Sequence, residues 1–195
     1  MLAIKNGKTI LEDGIVLGKA VLINDKIVDV VDESAIPQGA EIIDAEGGYI
    51  APGLIDLHIH GYLGKDVCDG SEESIRTISK GLLANGVTGY LPTTMTVDMK
   101  VIRKALECLR SLKEESKTWE GSTILGVHAE GPFINPSKKG AQAEENILKP
   151  DADFIIENAD IITSVTLAPE MDKDHACIKK LAAESNVLVS MGHTD

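Results

Sequence analysis

The sequence predicts an α/β fold: an incomplete (β/α)8 TIM-type barrel of about five strands, preceded by a small N-terminal β-sandwich-like segment. From residue 54 onward, short apolar strands alternate with amphipathic helices, a pattern typical of parallel sheets. Metal-binding residue types follow the first, third and fifth of these strands. Alternate strands of a barrel point into the same interior layer, whereas in an open sheet these positions would lie in a row. We therefore expect a small β domain over residues 1–52 and barrel over residues 53–195.

The N-terminal segment reads as short strands without helical periodicity. Asn6-Gly7 suits the positive φ angles of a type I′ turn, so a hairpin is predicted over residues 5–8. A second hairpin is predicted around Asn24-Asp25, and Gly47-Gly48 interrupts a further strand.

Five strands and four helices are predicted in the barrel part. The strands span Leu54–Ile59, Val87–Leu91 (ended by Pro92), Thr123–His128, Ile161–Leu167 and Val187–Met191. The helices would be capped by Ser71, Asp98, Asp151 and Asp172. Two apolar faces have helical spacing, namely Ile75, Ile78, Leu82 and Leu83, and then Ile102, Ala105, Leu106, Leu109 and Leu112.

A closed barrel needs eight strands and typically about 250 residues. With five strands visible, we expect this chain to be the first part of a larger protein. We also expect its fifth strand to have an uncovered edge.

Composition excludes several function classes. The formal net charge of -12 disfavours nucleic-acid binding. No apolar stretch approaches the roughly 20 residues of a membrane span, and the first residues do not resemble a signal peptide. The three cysteines, Cys68, Cys108 and Cys177, form no CxxC pair and are expected to be reduced and buried. Together these features predict a cytoplasmic protein.

The candidate metal-binding residues lie at the ends of the predicted strands. His58 and His60 are two residues apart, so both imidazoles face the same side of a strand, and Asp56 shares that face. Glu130 lies between an apolar strand and Gly131-Pro132, which argues against a freely solvated side chain. His193 ends the fifth strand in the same way.

Other polar residues give a less specific indication of function. His128 shares the inward face of Glu130, and it fits equally as a residue that supports a metal ligand, as a substrate-binding residue or as a structural residue. The loop with Lys138 and Lys139 either attracts an anionic substrate or is an ordinary solvated loop. His175 is expected on the surface. Histidine and glutamate around a metal with an open position predict metal-assisted hydrolysis of an amide or a similar bond.

In five strings the chain resembles the amidohydrolase superfamily: IAPGLIDLHIHG, GVTGYLPTT, HAEGPFINPSKKGAQ, TLAPE and MGHTD. The combination of HAEGPF, the following Gly-Ala, APE and GHT is typical of the N-acetylglucosamine-6-phosphate deacetylase group within it. The resemblance runs through essentially the whole sequence. It implies removal of the acetyl group from N-acetylglucosamine 6-phosphate, which yields glucosamine 6-phosphate and acetate in amino-sugar catabolism.

The resemblance also implies residue roles. Glu130 would be the principal metal ligand with His193 beside it, and His58 and His60 would support a second ion. The cofactor would be one or two divalent cations such as Zn, Fe or Mn. Ala141 and Gln142 would contact the phosphorylated amino sugar, although many relatives have His where Gln142 stands. The full-length protein would be a cytoplasmic homodimer that binds neither nucleic acid nor membranes.

Within residues 1–195 no catalytic residue is assigned, because the resemblance puts the catalytic aspartate beyond residue 195. One alternative is therefore an inactive fragment or a weak metal-binding module. A second alternative is a cyclic amidase of the hydantoinase or dihydroorotase kind. Those enzymes use a bridging lysine at the fourth strand, where this chain has Leu167, Ala168, Pro169 and Glu170.

Overall fold

The computed structural model describes residues 1–195, and residue contacts divide the chain into the units Met1–Gly53 and Leu54–Asp195. The first unit contains seven strands, namely β1 (Leu2–Lys5), β2 (Lys8–Leu11), β3 (Gly14–Val16), β4 (Lys19–Ile23), β5 (Ile27–Asp32), β6 (Glu41–Asp44) and β7 (Tyr49–Ile50). They form two sheets, with the orders β5-β4-β1-β6 and β3-β2-β7. This arrangement agrees with the predicted sandwich-like segment.

Only one of the two predicted hairpins has formed. Strands β4 and β5 pair antiparallel, and Asn24 N donates to Lys26 O at 3.0 Å in their turn. The hairpin predicted at Asn6-Gly7 is wrong, because β1 and β2 belong to different sheets. Asn6 does adopt the expected positive φ of 54°. A Cβ on Gly7 would lie 2.7 Å from the Ile50 side chain, so glycine is the residue that fits at this position without a shift of its neighbours.

The second unit contains eight strands and four α-helices. The strands are β8 (Leu54–Ile59), β9 (Gly61–Tyr62), β10 (Lys65–Asp66), β11 (Val87–Thr94), β12 (Thr123–Ile124), β13 (Val127–Glu130), β14 (Ile162–Leu167) and β15 (Leu188–Met191). The helices are α1 (Glu72–Leu83), α2 (Met99–Leu112), α3 (Ala152–Glu157) and α4 (Ala176–Glu184). No helix has both the length and the apolar character needed to cross a membrane.

A curled parallel sheet forms the frame of this unit, as an incomplete barrel predicts. Strands β8, β11, β13, β14 and β15 follow one another through parallel pairings, and the short β12 pairs with β11 on the edge opposite β8. Strands β9 and β10 form a separate antiparallel ribbon. The sheet does not close, since β8 and β15 do not pair with each other. Leu57, Leu188 and Met191 on these edge strands are exposed by 62%, 68% and 75%.

Two strands differ from the prediction by more than one residue. Strand β11 does not end at Pro92 but continues to Thr94, with a register shift between Tyr90 and Pro92 against β8. Proline cannot donate to a ladder and is tolerated at such irregularities. The third predicted strand is divided at Leu125-Gly126 into β12 and β13.

The helices pack as their apolar spacing predicts. Ser71 and Asp98 cap α1 and α2 by accepting hydrogen bonds from Ser74 N and Lys100 N. The predicted apolar faces are buried, with one exception: Leu83 is 41% exposed.

The start of α4 is less regular than predicted. Asp172 does not immediately precede the helix, because the 3-10 turn Lys173–His175 lies between them. Its carboxylate nevertheless accepts from Cys177 N at 3.0 Å and Ile178 N at 2.9 Å. His175 is exposed, as predicted. All three cysteines are free thiols, but Cys177 alone among them is fully buried.

Candidate metal centre

Side chains from two strand ends converge on the carboxylate of Glu130, which lies at a third strand end. His60 Nε2 lies 3.1 Å from Glu130 Oε2, His58 Nε2 lies 3.5 Å from Oε1, and His193 Nε2 lies 3.4 Å from Oε1. The Nε2 atoms of His58 and His60 are 3.2 Å apart. The structure therefore brings together all four residues that the sequence predicts as metal ligands.

Neighbouring backbone fixes the ring of His60. Its Nδ1 lies 3.1 Å from the carbonyl oxygen of Thr93 at the end of β11. A carbonyl oxygen only accepts, so Nδ1 carries a proton and Nε2 is the nitrogen that faces Glu130. The Oγ1 of Thr93 also accepts from Ile59 N at 3.1 Å, which ties the end of β8 to its neighbour.

The ring of His193 is also oriented by a contact between its Nδ1 and a backbone carbonyl oxygen. Its Nδ1 lies 2.9 Å from Lys138 O, and its own carbonyl oxygen accepts from Asn135 N at 3.0 Å. His193 follows β15 by two residues and has a φ of 51°, in the left-handed region that non-glycine residues rarely adopt. This turn aims the ring at Glu130 instead of along the strand.

His58 is supported differently. Asp56 accepts from the backbone N of His58 at 3.0 Å, so its contact is with the main chain rather than with an imidazole. The ring of His58 packs edge-on against His60 and His128, with centroids 4.9 Å apart in each pair.

Glu130 is a buried but ionised carboxylate. Burial acts to raise its pKa, but the hydrogen bond with His60 and the charges of His58, His60 and His193 together lower the pKa to about 2. The same contact, chiefly its hydrogen bond, raises the pKa of His60. Gly131 lets the chain turn after Glu130: its φ is 78°, and a Cβ would lie 2.3 Å from Thr96 Oγ1.

Gln142 braces this carboxylate, which the sequence did not indicate. Its Nε2 donates to Glu130 Oε2 at 2.8 Å, and its Oε1 accepts from Thr96 N at 2.7 Å. The side chain is buried, whereas the neighbouring Ala141 is exposed. The sugar contacts predicted for Ala141 and Gln142 stay predictions.

The remaining polar residues have structural contacts. His128 Nε2 and Thr166 Oγ1 are 2.7 Å apart and join β13 to β14. The pKa of His128 is lowered, mainly by burial and to a smaller extent by the charge of His58. The Lys138 ammonium pairs with Asp195 at 2.8 Å, and the Lys139 ammonium lies 3.8 Å from Glu144. This loop touches the site through the carbonyl of Lys138, not through its charges.

The donor set fits a divalent cation. One ligand atom from each of His58, His60 and Glu130 lies within 4.8 Å of the others, and His193 faces the same carboxylate. Imidazole nitrogen and carboxylate oxygen together suit Zn, Fe or Mn. Two of the three rings hold Nδ1 against a backbone carbonyl, which is how metal-binding histidines are usually oriented.

The chain is similar to several proteins named N-acetylglucosamine-6-phosphate deacetylase. The chain is 36% identical to the N-acetylglucosamine-6-phosphate deacetylase of Bacillus subtilis over 201 residues, which covers 100% of this chain and 50% of that protein. The human protein of the same name is 31% identical, with 98% of this chain and 47% of that protein covered. A crystal structure of the Pasteurella multocida N-acetylglucosamine-6-phosphate deacetylase superposes with a TM-score of 0.86 at 29% identity, over 99% of this chain and 51% of that chain.

This chain thus spans about half the length of the curated relatives that it matches. The model of the amidohydrolase family matches residues 49–193, a range that contains all four residues around the Glu130 carboxylate. On its matched length and its strand-end histidines and glutamate, the chain belongs to the amidohydrolase family.

Proposed function

We propose that this chain supplies the metal centre of an N-acetylglucosamine-6-phosphate deacetylase. The reaction is hydrolysis of the acetamide bond of the phosphosugar, which gives glucosamine 6-phosphate and acetate. The observation that carries the proposal is the convergence of His58, His60 and His193 on Glu130. The substrate class is suggested by the names of the relatives.

Each residue at the site has a proposed task. A divalent ion bound here supplies Lewis acidity for the amide carbonyl and activates water. Glu130 and His193 hold the principal ion, and His58 and His60 support a second. Gln142 donates to Glu130 Oε2 and so fixes the rotation of the carboxylate. Ala141 and Gln142 line the sugar side, and no residue in 1–195 is assigned to proton transfer.

The setting proposed for the enzyme is amino-sugar catabolism in the cytoplasm, as a homodimer at full length. The net charge of -12 is consistent with a protein that avoids nucleic acids.

Metal binding and acetate release test the proposal together. Calorimetric titration of the chain with Zn²⁺ or Mn²⁺ should give one or two ions per chain, and Glu130→Gln should abolish tight binding. Acetate release from N-acetylglucosamine 6-phosphate should be measured in the longest natural form that contains this sequence, before and after chelation. The matched control is Glu184→Gln, which changes an exposed glutamate on α4.

The results separate the alternatives. Chelator-sensitive acetate release that Glu130→Gln removes supports the proposal, and chelator-insensitive release would overturn it. Metal binding without acetate release points to a metal-binding module. Hydrolysis of dihydrouracil-type rings in place of the acetylated sugar would instead support the cyclic amidase.

A further inference from the structure

The exposed carboxylate of Glu170 connects three of the strings that carry the family resemblance. Glu170 lies in the 3-10 turn Pro169–Met171, just after β14. Its Oε1 accepts from Asn135 Nδ2 at 2.7 Å and from Asp195 N at 3.0 Å, while its Oε2 accepts from Thr194 Oγ1. Asn135 belongs to HAEGPFIN, Glu170 to TLAPE and Thr194 to MGHTD. None of these three residues touches Glu130.

Both segments joined by Glu170 hold His193. Asn135 N donates to the carbonyl oxygen of His193 at 3.0 Å, and Lys138 O lies 2.9 Å from the ring Nδ1. On the other side, Thr194 and Asp195 directly follow His193 in the chain. Glu170 therefore fixes the backbone on both sides of the ring that points at Glu130.

The turn at His193 depends on support of this kind. Its left-handed φ of 51° is unfavourable for a residue with a side chain. The preceding Gly192 is confined as well, because a Cβ there would lie 2.6 Å from the Thr166 side chain. Without hydrogen bonds from outside the turn, the backbone would relax toward ordinary extended geometry, and the ring would move away from Glu130.

Glu170 can hold its partners firmly because it is an anion at neutral pH. The hydrogen bonds from Thr194 and then Asn135 lower the pKa of Glu170 to about 2. Hydrogen bonds to an ionised acceptor are shorter and stronger than neutral ones. A glutamine in its place would keep the size but lose the charge and one of the two acceptor oxygens.

We propose that Glu170 is a positioning residue of the metal centre: it clamps the Asn135 and Thr194 segments together and thereby aims His193 at Glu130. The proposal rests on the metal site described above. Outer-sphere partners of this kind typically change metal affinity by 10- to 100-fold when they are removed.

Zn²⁺ titration of the chain by calorimetry is the first test. Glu170→Ala should lower the affinity by roughly 10- to 100-fold, Glu170→Gln by less, and the control Glu184→Gln should leave it unchanged. The effect should vanish when His193 is already alanine, because Glu170 acts only through that ring. Unchanged affinity in Glu170→Ala, or an equal loss in the His193→Ala background, would overturn the proposal.

A second measurement needs no metal. Nitrogen-15 NMR of the histidine rings in metal-free protein should show His193 protonated at Nδ1 in the unaltered chain, in keeping with its contact to Lys138 O. Glu170→Ala should shift this ring toward a tautomer mixture and leave His60 unchanged, and an unshifted His193 spectrum would refute the positioning role. If the unaltered chain binds no metal, the proposed function fails, while this spectrum still decides whether Glu170 orients the ring.

Discussion

Replacing Gln142 with leucine tests how much the brace on Glu130 contributes. Leucine is an apolar side chain that branches one carbon earlier than glutamine, and it neither donates nor accepts a hydrogen bond. The substitution removes the 2.8 Å hydrogen bond to Glu130 Oε2 and leaves the backbone N of Thr96 without its acceptor at 2.7 Å. Gln142 is 4% exposed, so water cannot easily replace either contact.

The magnitude follows from these two contacts. A hydrogen bond to a charged group is worth about 1.5–3 kcal/mol, and a buried unsatisfied donor costs about 1–3 kcal/mol. Burial of the leucine side chain offsets roughly 1.5–3 kcal/mol of that sum. We therefore expect a net loss of about 1–3 kcal/mol in the free energy of unfolding. The affinity for Zn²⁺ should fall by roughly 10- to 100-fold, since Glu130 loses an orienting partner.

Urea unfolding followed by tryptophan fluorescence is the appropriate stability assay. Trp119 is the only tryptophan and lies in the unit Leu54–Asp195, so the signal reports on the unit that contains the site. The matched control is Gln38→Leu, which changes the exposed glutamine of the first unit. The reasoning fails if Gln142→Leu unfolds within 0.5 kcal/mol of the unaltered protein, on the order of an ordinary surface substitution, and binds Zn²⁺ equally well.

Three further predictions have defined outcomes. His60→Ala should weaken Zn²⁺ binding by at least about 10-fold in calorimetry while the circular dichroism stays native, and unchanged affinity would contradict its role as a ligand. Burial raises the pKa of Tyr90 to about 12, so the stability that its neutral form contributes is fully present below pH 10 and is lost as the pH rises through 12. Tyr90→Phe should remove the tyrosinate absorbance step near pH 12. Loss of the 2.7 Å contact between Tyr90 and Ser79 should also lower the free energy of unfolding in urea by about 1–2 kcal/mol. If the absorbance step persists in the variant, the step belongs to another tyrosine. Leu109→Ala in the core should cost about 2–5 kcal/mol, against less than about 0.5 for Leu83→Ala on the exposed side of α1, and equal costs would refute the packing described.

Features that depend on local periodicity were predictable from the sequence. His58 and His60 share a face because side chains alternate along a strand, and the faces of α1 and α2 follow from a spacing of three and four residues. The convergence on Glu130 followed from one further step, that odd strands of a barrel point to the same interior layer.

Features that depend on partners distant in the chain were not predictable. Asn6 takes the positive φ that its motif predicts, but which sheet the next strand joins is decided by residues far from Asn6. Gln142 occupies an irregular loop, where spacing says nothing about the direction of a side chain. An exposed glutamate such as Glu170 is usually solvated, and only its three hydrogen bonds distinguish it.

The central place of Glu130 has a consequence for the order in which the protein folds. His58 and His60 precede Glu130 by two βα units, and His193 follows it by a similarly long stretch, so the contacts of these histidines with Glu130 close large loops. Such contacts form late, after the local helices and neighbouring strands are in place. Interactions that are absent from the folding transition state change the unfolding rate rather than the folding rate. A bound metal should therefore lower the unfolding rate of the native chain without raising its folding rate.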